Sequence, residues 1–183
     1  MSEEFLTVRD LTIEYRTDLE TVHAVNHISF SLKQGQTIGL VGETGAGKTT
    51  TALSLMRLLP EKTGHVTSGT IEFEGRSVMD IPDEEMRAIR GEGMAMIFQD
   101  PMTSLNPVIT VGDQIAEALE LHNSTGRTRE QIQDRVDEVL TMVGIPPSRK
   151  HDYPHQFSGG MKQRVVIAMA LSCSPKLLIA DEP

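Results

Sequence analysis

Residues 42 to 49 read Gly42-Glu43-Thr44-Gly45-Ala46-Gly47-Lys48-Thr49, the pattern G-x-x-x-x-G-K-[ST], and Thr50 adds a second hydroxyl directly after it. Each fixed position has a mechanical reason. Glycines let successive main-chain N–H groups turn toward one anion, and a helix starting at the lysine adds its positive end. A lysine here neutralises the β and γ phosphates of a nucleotide, and the Thr49 hydroxyl is placed to bind Mg²⁺. The stretch is therefore a predicted phosphate cradle. A second chemical feature closes the chain, where the apolar run Leu177 to Ala180 is followed by Asp181 and Glu182. Two adjacent acids after a strand are by themselves an ordinary solvated turn. Beside a Mg²⁺-nucleotide they gain roles, Asp181 holding the metal through water and Glu182 orienting or deprotonating an attacking water.

These residues need elements to position them. Thr37 to Val41 is short, apolar and uninterrupted, which predicts a strand buried on both faces and leading into the glycines. Lys48 to Leu59 carries Leu53, Met56 and Leu59 at helical spacing, with Pro60 as a stop. Upstream, Phe5 to Tyr15 and Val22 to Leu32 read as antiparallel strands separated by Asp18 to Thr21. Downstream, Thr70 to Phe73 and Ser77 to Met79 read as a hairpin around Glu74-Gly75-Arg76, and Pro82-Asp83 opens a short charged helix. Met94 to Phe98 is another buried strand. Helical periodicity covers Val111 to Leu121 and Arg129 to Val143, and a further helix is expected from an N-cap at Ser158 to a stop at Pro175. Leu177 to Ala180 is the last strand.

Composition narrows the function classes. The 183 residues, 38% hydrophobic and 4% aromatic without Trp, suit a mixed α/β core of aliphatic side chains. A net charge of -9 opposes nucleic-acid binding. The longest apolar run, Val165 to Leu171, is far short of the roughly 20 residues of a membrane span. Glu3 and Glu4 stand where an export signal carries basic residues, so export is not expected. The single cysteine, Cys173, lies in an apolar run, which predicts a buried thiol. His151 and His155 are four apart, but Pro154 between them prevents a helix from aligning their rings on a metal.

Phe157-Ser158-Gly159-Gly160-Met161, followed by Lys162-Gln163-Arg164, resembles the signature motif of the ABC ATPases, commonly Leu-Ser-Gly-Gly-Gln before a basic helix. Physically, Ser158, Gly159 and Gly160 at a helix start form an anion site, or else a plain helix cap. In the family this site grips the γ-phosphate of ATP held by a second subunit, so the resemblance implies a dimer. Gln99, after the strand Met94 to Phe98, matches the family's glutamine loop, implying a contact to Mg²⁺ or water and to membrane subunits. Tyr15 sits where the family places a ring that stacks on adenine, although a strand aromatic in the core reads equally from the residue alone. Phe98-Gln99-Asp100-Pro101-Met102-Thr103-Ser104-Leu105-Asn106-Pro107 and Tyr153-Pro154-His155-Gln156-Phe157 are similar to the ATPase subunits of dipeptide, oligopeptide and nickel importers. Glu43 to Ala46 departs mildly, since Ser-Gly-Ser is commoner there.

The resemblance covers essentially the whole chain and implies an α/β P-loop NTPase of the ABC ATPase type. Its expected parts are a mostly parallel sheet core, an N-terminal antiparallel β subdomain and a helical subdomain inserted at 102–160. ATP and Mg²⁺ are the implied cofactors, with Lys48, Gln99 and Glu182 in the chemistry. The implied partners are integral membrane permease subunits, a second ATPase subunit and, indirectly, an extracytoplasmic solute-binding protein, with no nucleic acid. The implied location is peripheral, at the cytoplasmic face of the inner membrane. DNA-repair and chromosome-organising ATPases share the signature but separate it from the phosphate loop by long coiled coils; 49 to 157 here holds no sustained heptads. Ribosome-acting ABC proteins resemble two fused ATPase domains, and one is present. Family members continue past Asp-Glu-Pro into a dimer-facing loop and a strand ending in a switch histidine. The six histidines here all precede Glu182. The 183 residues alone are therefore expected to form a partial domain of low stability and feeble ATP hydrolysis.

Overall fold

The computed structural model of the chain describes residues 4–181, apart from the side chains of Pro101 and Met102. The β-branched and apolar residues near the start form β1 (Glu4–Arg16) and β2 (Thr21–Lys33), paired antiparallel from Glu4↔Lys33 to Arg16↔Thr21. The other edge of β1 pairs with β3 (Gly64–Phe73), which turns into β4 (Arg76–Ser77), giving the order β2-β1-β3-β4. As an inner strand, β1 contributes Leu6, Val8, Leu11 and Ile13 to the core, with Leu6 paired to Phe73 and Val8 to Ile71 of β3. The rings of Phe5 and Phe73 meet edge to face, 5.0 Å apart. The register on β1 shifts around Asp10, against β2 between Val8 and Leu11 and against β3 between Arg9 and Thr12. Gly69 makes this bulge possible: its φ is +90°, and a Cβ would lie 2.4 Å from the Asp10 carbonyl oxygen.

Between β2 and the first helix, the expectation of a strand fails. Residues 37–41 join no ladder among the described residues, with Ile38 and Leu40 each 43% exposed and Val41 97%. An apolar run becomes a doubly buried strand only where strands flank it and helices cover it, and no described strand pairs with this one.

The first helix, α1 (Lys48–Leu55), ends four residues before the expected Leu59. Arg57 takes a left-handed conformation at φ 51°, and the Leu58 N–H returns to the Leu53 carbonyl at 2.9 Å, closing the helix before Pro60. The Arg57 guanidinium is held by the Ile81 carbonyl and by Asp83 at 2.6 Å, which offsets the cost of that backbone angle. A 3₁₀ turn at Val78–Asp80 replaces the second half of the expected hairpin strand. Next comes α2 (Asp83–Glu92), its helical angles interrupted at Arg90 and Gly91.

The chain divides into two compact units, Met1–Met86 and Arg87–Pro183. In the second, β5 (Met94–Ile97) and β6 (Leu177–Ala180) form a parallel ladder from Met94↔Leu177 to Ile97↔Ala180. The short α3 (Pro101–Ser104) precedes α4 (Val111–Leu121), α5 (Arg129–Met142) and α6 (Gly159–Ser172). Their apolar stripes share one core: Val111, Ile115 and Leu119 from α4; Ile132, Val136 and Val139 from α5; Val165 and Ala168 from α6. Thr110 caps α4 through the Asp113 N–H, and Thr128 with Gln131 forms a capping box on α5.

Candidate nucleotide site

In the first unit the glycine-rich loop is bound to β2 by its last glycine. Gly47 has φ +79°, and a Cβ on it would lie 2.2 Å from the Ala24 carbonyl oxygen and 3.0 Å from Val25 Cγ2. Only glycine allows the loop to turn this close to the strand and start a helix there. The helical ladder of α1 begins with the Thr51 N–H on the Gly47 carbonyl at 2.8 Å. The amides of Lys48, Thr49 and Thr50 stand ahead of that ladder, where a helix offers its positive end to an anion. No acidic side chain sits in this first turn.

Lys48 lies across the loop, its ammonium donating to the carbonyls of Gly42 at 2.8 Å and Glu43 at 3.0 Å. The Ala46 N–H closes the turn on the Glu43 carbonyl at 3.1 Å. Thr49 is exposed, whereas Thr50 is buried and its Oγ1 lies 3.4 Å from the Tyr15 hydroxyl. The half-buried Tyr15 ring therefore stands beside the first turn of α1. Leu40, Val41, Gly45, Ala46, Lys48 and Thr51, with His23 to Asn26 and Ile28 of β2, line an open cleft of about 460 Å³. A cleft with these walls presents ammonium, hydroxyl and main-chain amide groups to a polyphosphate.

In the second unit the parallel ladder brings two other predicted residues to one end of a sheet. The Asp181 N–H donates to the Ile97 carbonyl at 2.9 Å, so Asp181 follows β6 beside the chain leaving β5 toward Gln99. Gln99 is exposed and Asp181 is 8% exposed. Glu182 lies outside the described residues. Ser158 is the N-cap of α6, in extended backbone, and its carbonyl accepts from Met161 at 3.0 Å and Lys162 at 2.9 Å. Its hydroxyl makes no capping bond, and Gly159 and Gly160 are exposed beside it. The helix start thus keeps a hydroxyl and first-turn amides for an external acceptor.

Two groups of the second unit have shifted protonation. The Ser124 hydroxyl at 2.7 Å holds the Glu92 carboxyl below its ordinary range, against a weaker burial effect; the Ser124 amide, at 3.2 Å, adds to the lowering. Burial pushes the Cys173 thiol up, opposed by its contact with Ser172. The first is a loop contact and the second a core thiol, as the apolar run predicts.

Among known proteins, the family model described as "ABC transporter" matches residues 25–183. The chain belongs to the ABC transporter family. Within it, this ABC chain is 49% identical over 183 residues to the dipeptide transport ATP-binding protein DppD of Bacillus subtilis, covering 99% of the chain and 54% of DppD. It is 48% identical over 180 residues to the probable peptide ABC transporter ATP-binding protein y4tR of Sinorhizobium fredii, covering 97% of the chain and 53% of that protein. The chain spans about half the length of the curated relatives it matches. Among solved structures, the dimeric post-hydrolysis state of the ATP-binding cassette MJ0796, bound to ADP and Pi, matches with a TM-score of 0.83 at 26% identity, over 96% of the chain and 73% of that structure. The cbiO1 structure from Clostridium perfringens matches with 0.79 at 30% identity, over 99% and 66%. The fold is that of an ABC ATPase cassette, with the antiparallel β subdomain as expected.

The ABC chain also uses residues that the sequence reading passed over. Buried Gln114 accepts from the Asn106 N–H at 2.8 Å and donates to the carbonyls of Asn106 at 3.0 Å and Ile109 at 2.9 Å, fixing the loop after α3. A polar residue inside the stripe Val111, Ile115, Leu119 is a legible sign of such a buried amide. Arg149, inside the 3₁₀ turn Pro147–His151 ahead of Ser158, carries no pattern that marks it in the sequence.

Proposed function

We propose that the chain carries the nucleotide-binding part of an ATPase subunit that powers peptide import through an ABC transporter. The loop geometry carries this reading: Gly47 against Ala24, Lys48 across the loop mouth and the first-turn amides of α1 suit a polyphosphate. The peptide-transport names of the relatives support the cargo class, with peptides preferred over nickel. In this reading the amides of the cradle bind the β and γ phosphates and Lys48 neutralises them. Tyr15 supplies a ring for adenine beside α1.

The hydroxyl of Thr49 and the carboxamide and carboxylate oxygens of Gln99 and Asp181 are hard donors of the kind Mg²⁺ takes, and the family resemblance makes these the residues that would hold it. The ion, when bound, offsets phosphate charge. Glu182 orients water in line with the γ-phosphorus and accepts its proton. The new P–O bond forms as the bond to the β–γ bridging oxygen breaks, leaving ADP and inorganic phosphate. Ser158, Gly159 and Gly160 of a second subunit close on the γ-phosphate, so turnover requires a dimer. The subunit works peripherally at the cytoplasmic face of the membrane, against permease subunits that receive solute from an extracytoplasmic binding protein.

Affinity purification of the full-length subunit from its own cells tests this. The expected result is co-purification of two integral membrane proteins, with ATPase activity stimulated by a peptide-loaded binding protein. Salt-dependent recovery of DNA or ribosomes without membrane proteins contradicts it.

A further inference from the structure

The segment that delivers Ser158 to its helix is irregular, yet one side chain reaches both sides of it. The guanidinium of Arg149 donates from Nε to Asp152 Oδ2 at 2.7 Å and from Nη2 to the Gln156 carbonyl at 3.0 Å. Its Nη1 lies 3.6 Å from the sulfur of Met161, and its central carbon lies 4.3 Å over the ring of Phe157. Asp152 and Gln156 precede Ser158, Phe157 adjoins it, and Met161 lies in the first turn of α6. The contacts therefore bracket Ser158, Gly159 and Gly160 in sequence.

Those three residues have little else to hold them. All are exposed, and the Ser158 hydroxyl does not cap its own helix. Phe157 is buried in the core of the second unit, so its ring is a fixed platform on which the guanidinium lies. Asp152 is itself fixed, because its carbonyl accepts the Val111 N–H at 2.9 Å at the start of α4. The planar fork of arginine satisfies a carboxylate and a carbonyl at once while stacking on a ring; a lysine ammonium does not reproduce this.

We propose that Arg149 is a positioning residue for the cross-subunit phosphate contact. It sets the angle at which Ser158, Gly159 and Gly160 leave Phe157, and so the aim of their hydroxyl and amides at the nucleotide of the partner. This rests on the proposed dimeric nucleotide sandwich. Arg149 touches no phosphate itself, and its loss leaves the cradle of its own subunit intact.

The test uses the full-length subunit as wild type, Arg149→Ala, Arg149→Lys and Ser158→Arg. For each, Mg-ATP affinity, ATP-dependent dimerisation, kcat, KM and the thermal midpoint are measured. The expected result for both Arg149 variants is ATP affinity within about twofold of wild type, with dimerisation and kcat reduced about 10- to 100-fold. Unchanged dimerisation and kcat in Arg149→Ala overturn the proposal. So does a loss of ATP affinity parallel to the loss of kcat, which marks a folding role, and so does full rescue by Arg149→Lys, which reduces the role to charge. If Ser158→Arg also dimerises and turns over normally, the signature reading itself fails; if Ser158→Arg is defective and Arg149→Ala is not, only the role of Arg149 fails.

Discussion

At the scale of single residues, the cradle depends on one steric condition, that Gly47 carries no Cβ. Gly47→Ala would force a left-handed alanine and put its Cβ 2.2 Å from the Ala24 carbonyl oxygen, so loop or strand must move. The expected cost is at least about 2 kcal/mol. A fall in the urea midpoint with loss of Mg-ATP binding checks it; wild-type values in both would contradict it. Cys173 gives a second residue-scale expectation. Burial raises its thiol, so at pH 8 less thiolate is present than in an open chain. Alkylation by iodoacetamide should be on the order of 100-fold slower in the native protein than in urea. Equal rates would show that this part of the core is open.

At the scale of elements, the loop after α3 is held mainly by a side chain. Gln114→Leu keeps the bulk but leaves the Asn106 N–H and the carbonyls of Asn106 and Ile109 without their partner, at about 1–3 kcal/mol for each group that stays buried. Hydrogen exchange at the Asn106 amide should accelerate by about tenfold or more, while amides inside β1 are unchanged. Unaltered exchange at Asn106 would mean the loop has other support. The helices α4 and α5 were legible in the sequence because their apolar spacing and threonine caps are local signals, as was β6 from its short apolar run. Other elements were set by partners that no local pattern reveals. The first half of β3, with His65, Thr67 and Ser68, has no alternation and is a strand because β1 offers an edge. The end of α1 was assigned to Pro60, but Arg57 breaks the helix earlier because Asp83 and Ile81 lie within reach of its guanidinium. Residues 37–41 are the reverse case, an apolar run with strand character and no pairing partner among the described strands. The candidate site divides in the same way. The glycine loop and signature are written as contiguous motifs, whereas Arg149 acts through contacts made by folding.

At the scale of the whole molecule, the proposed function makes the chain a nucleotide holder, with a partner copy and membrane subunits as further proposals. No helix among the described residues is long and apolar enough to cross a membrane. All of this depends on ATP being held by residues 42–49. The decisive measurement is equilibrium dialysis of Mg-ATP against the full-length subunit and its Lys48→Ala variant, with circular dichroism to establish that both are folded. The account predicts saturable retention by the wild type, weakened in the variant by about 2–3 kcal/mol, or roughly 30- to 150-fold. No retention by the folded wild type, or equal retention by Lys48→Ala, would contradict it.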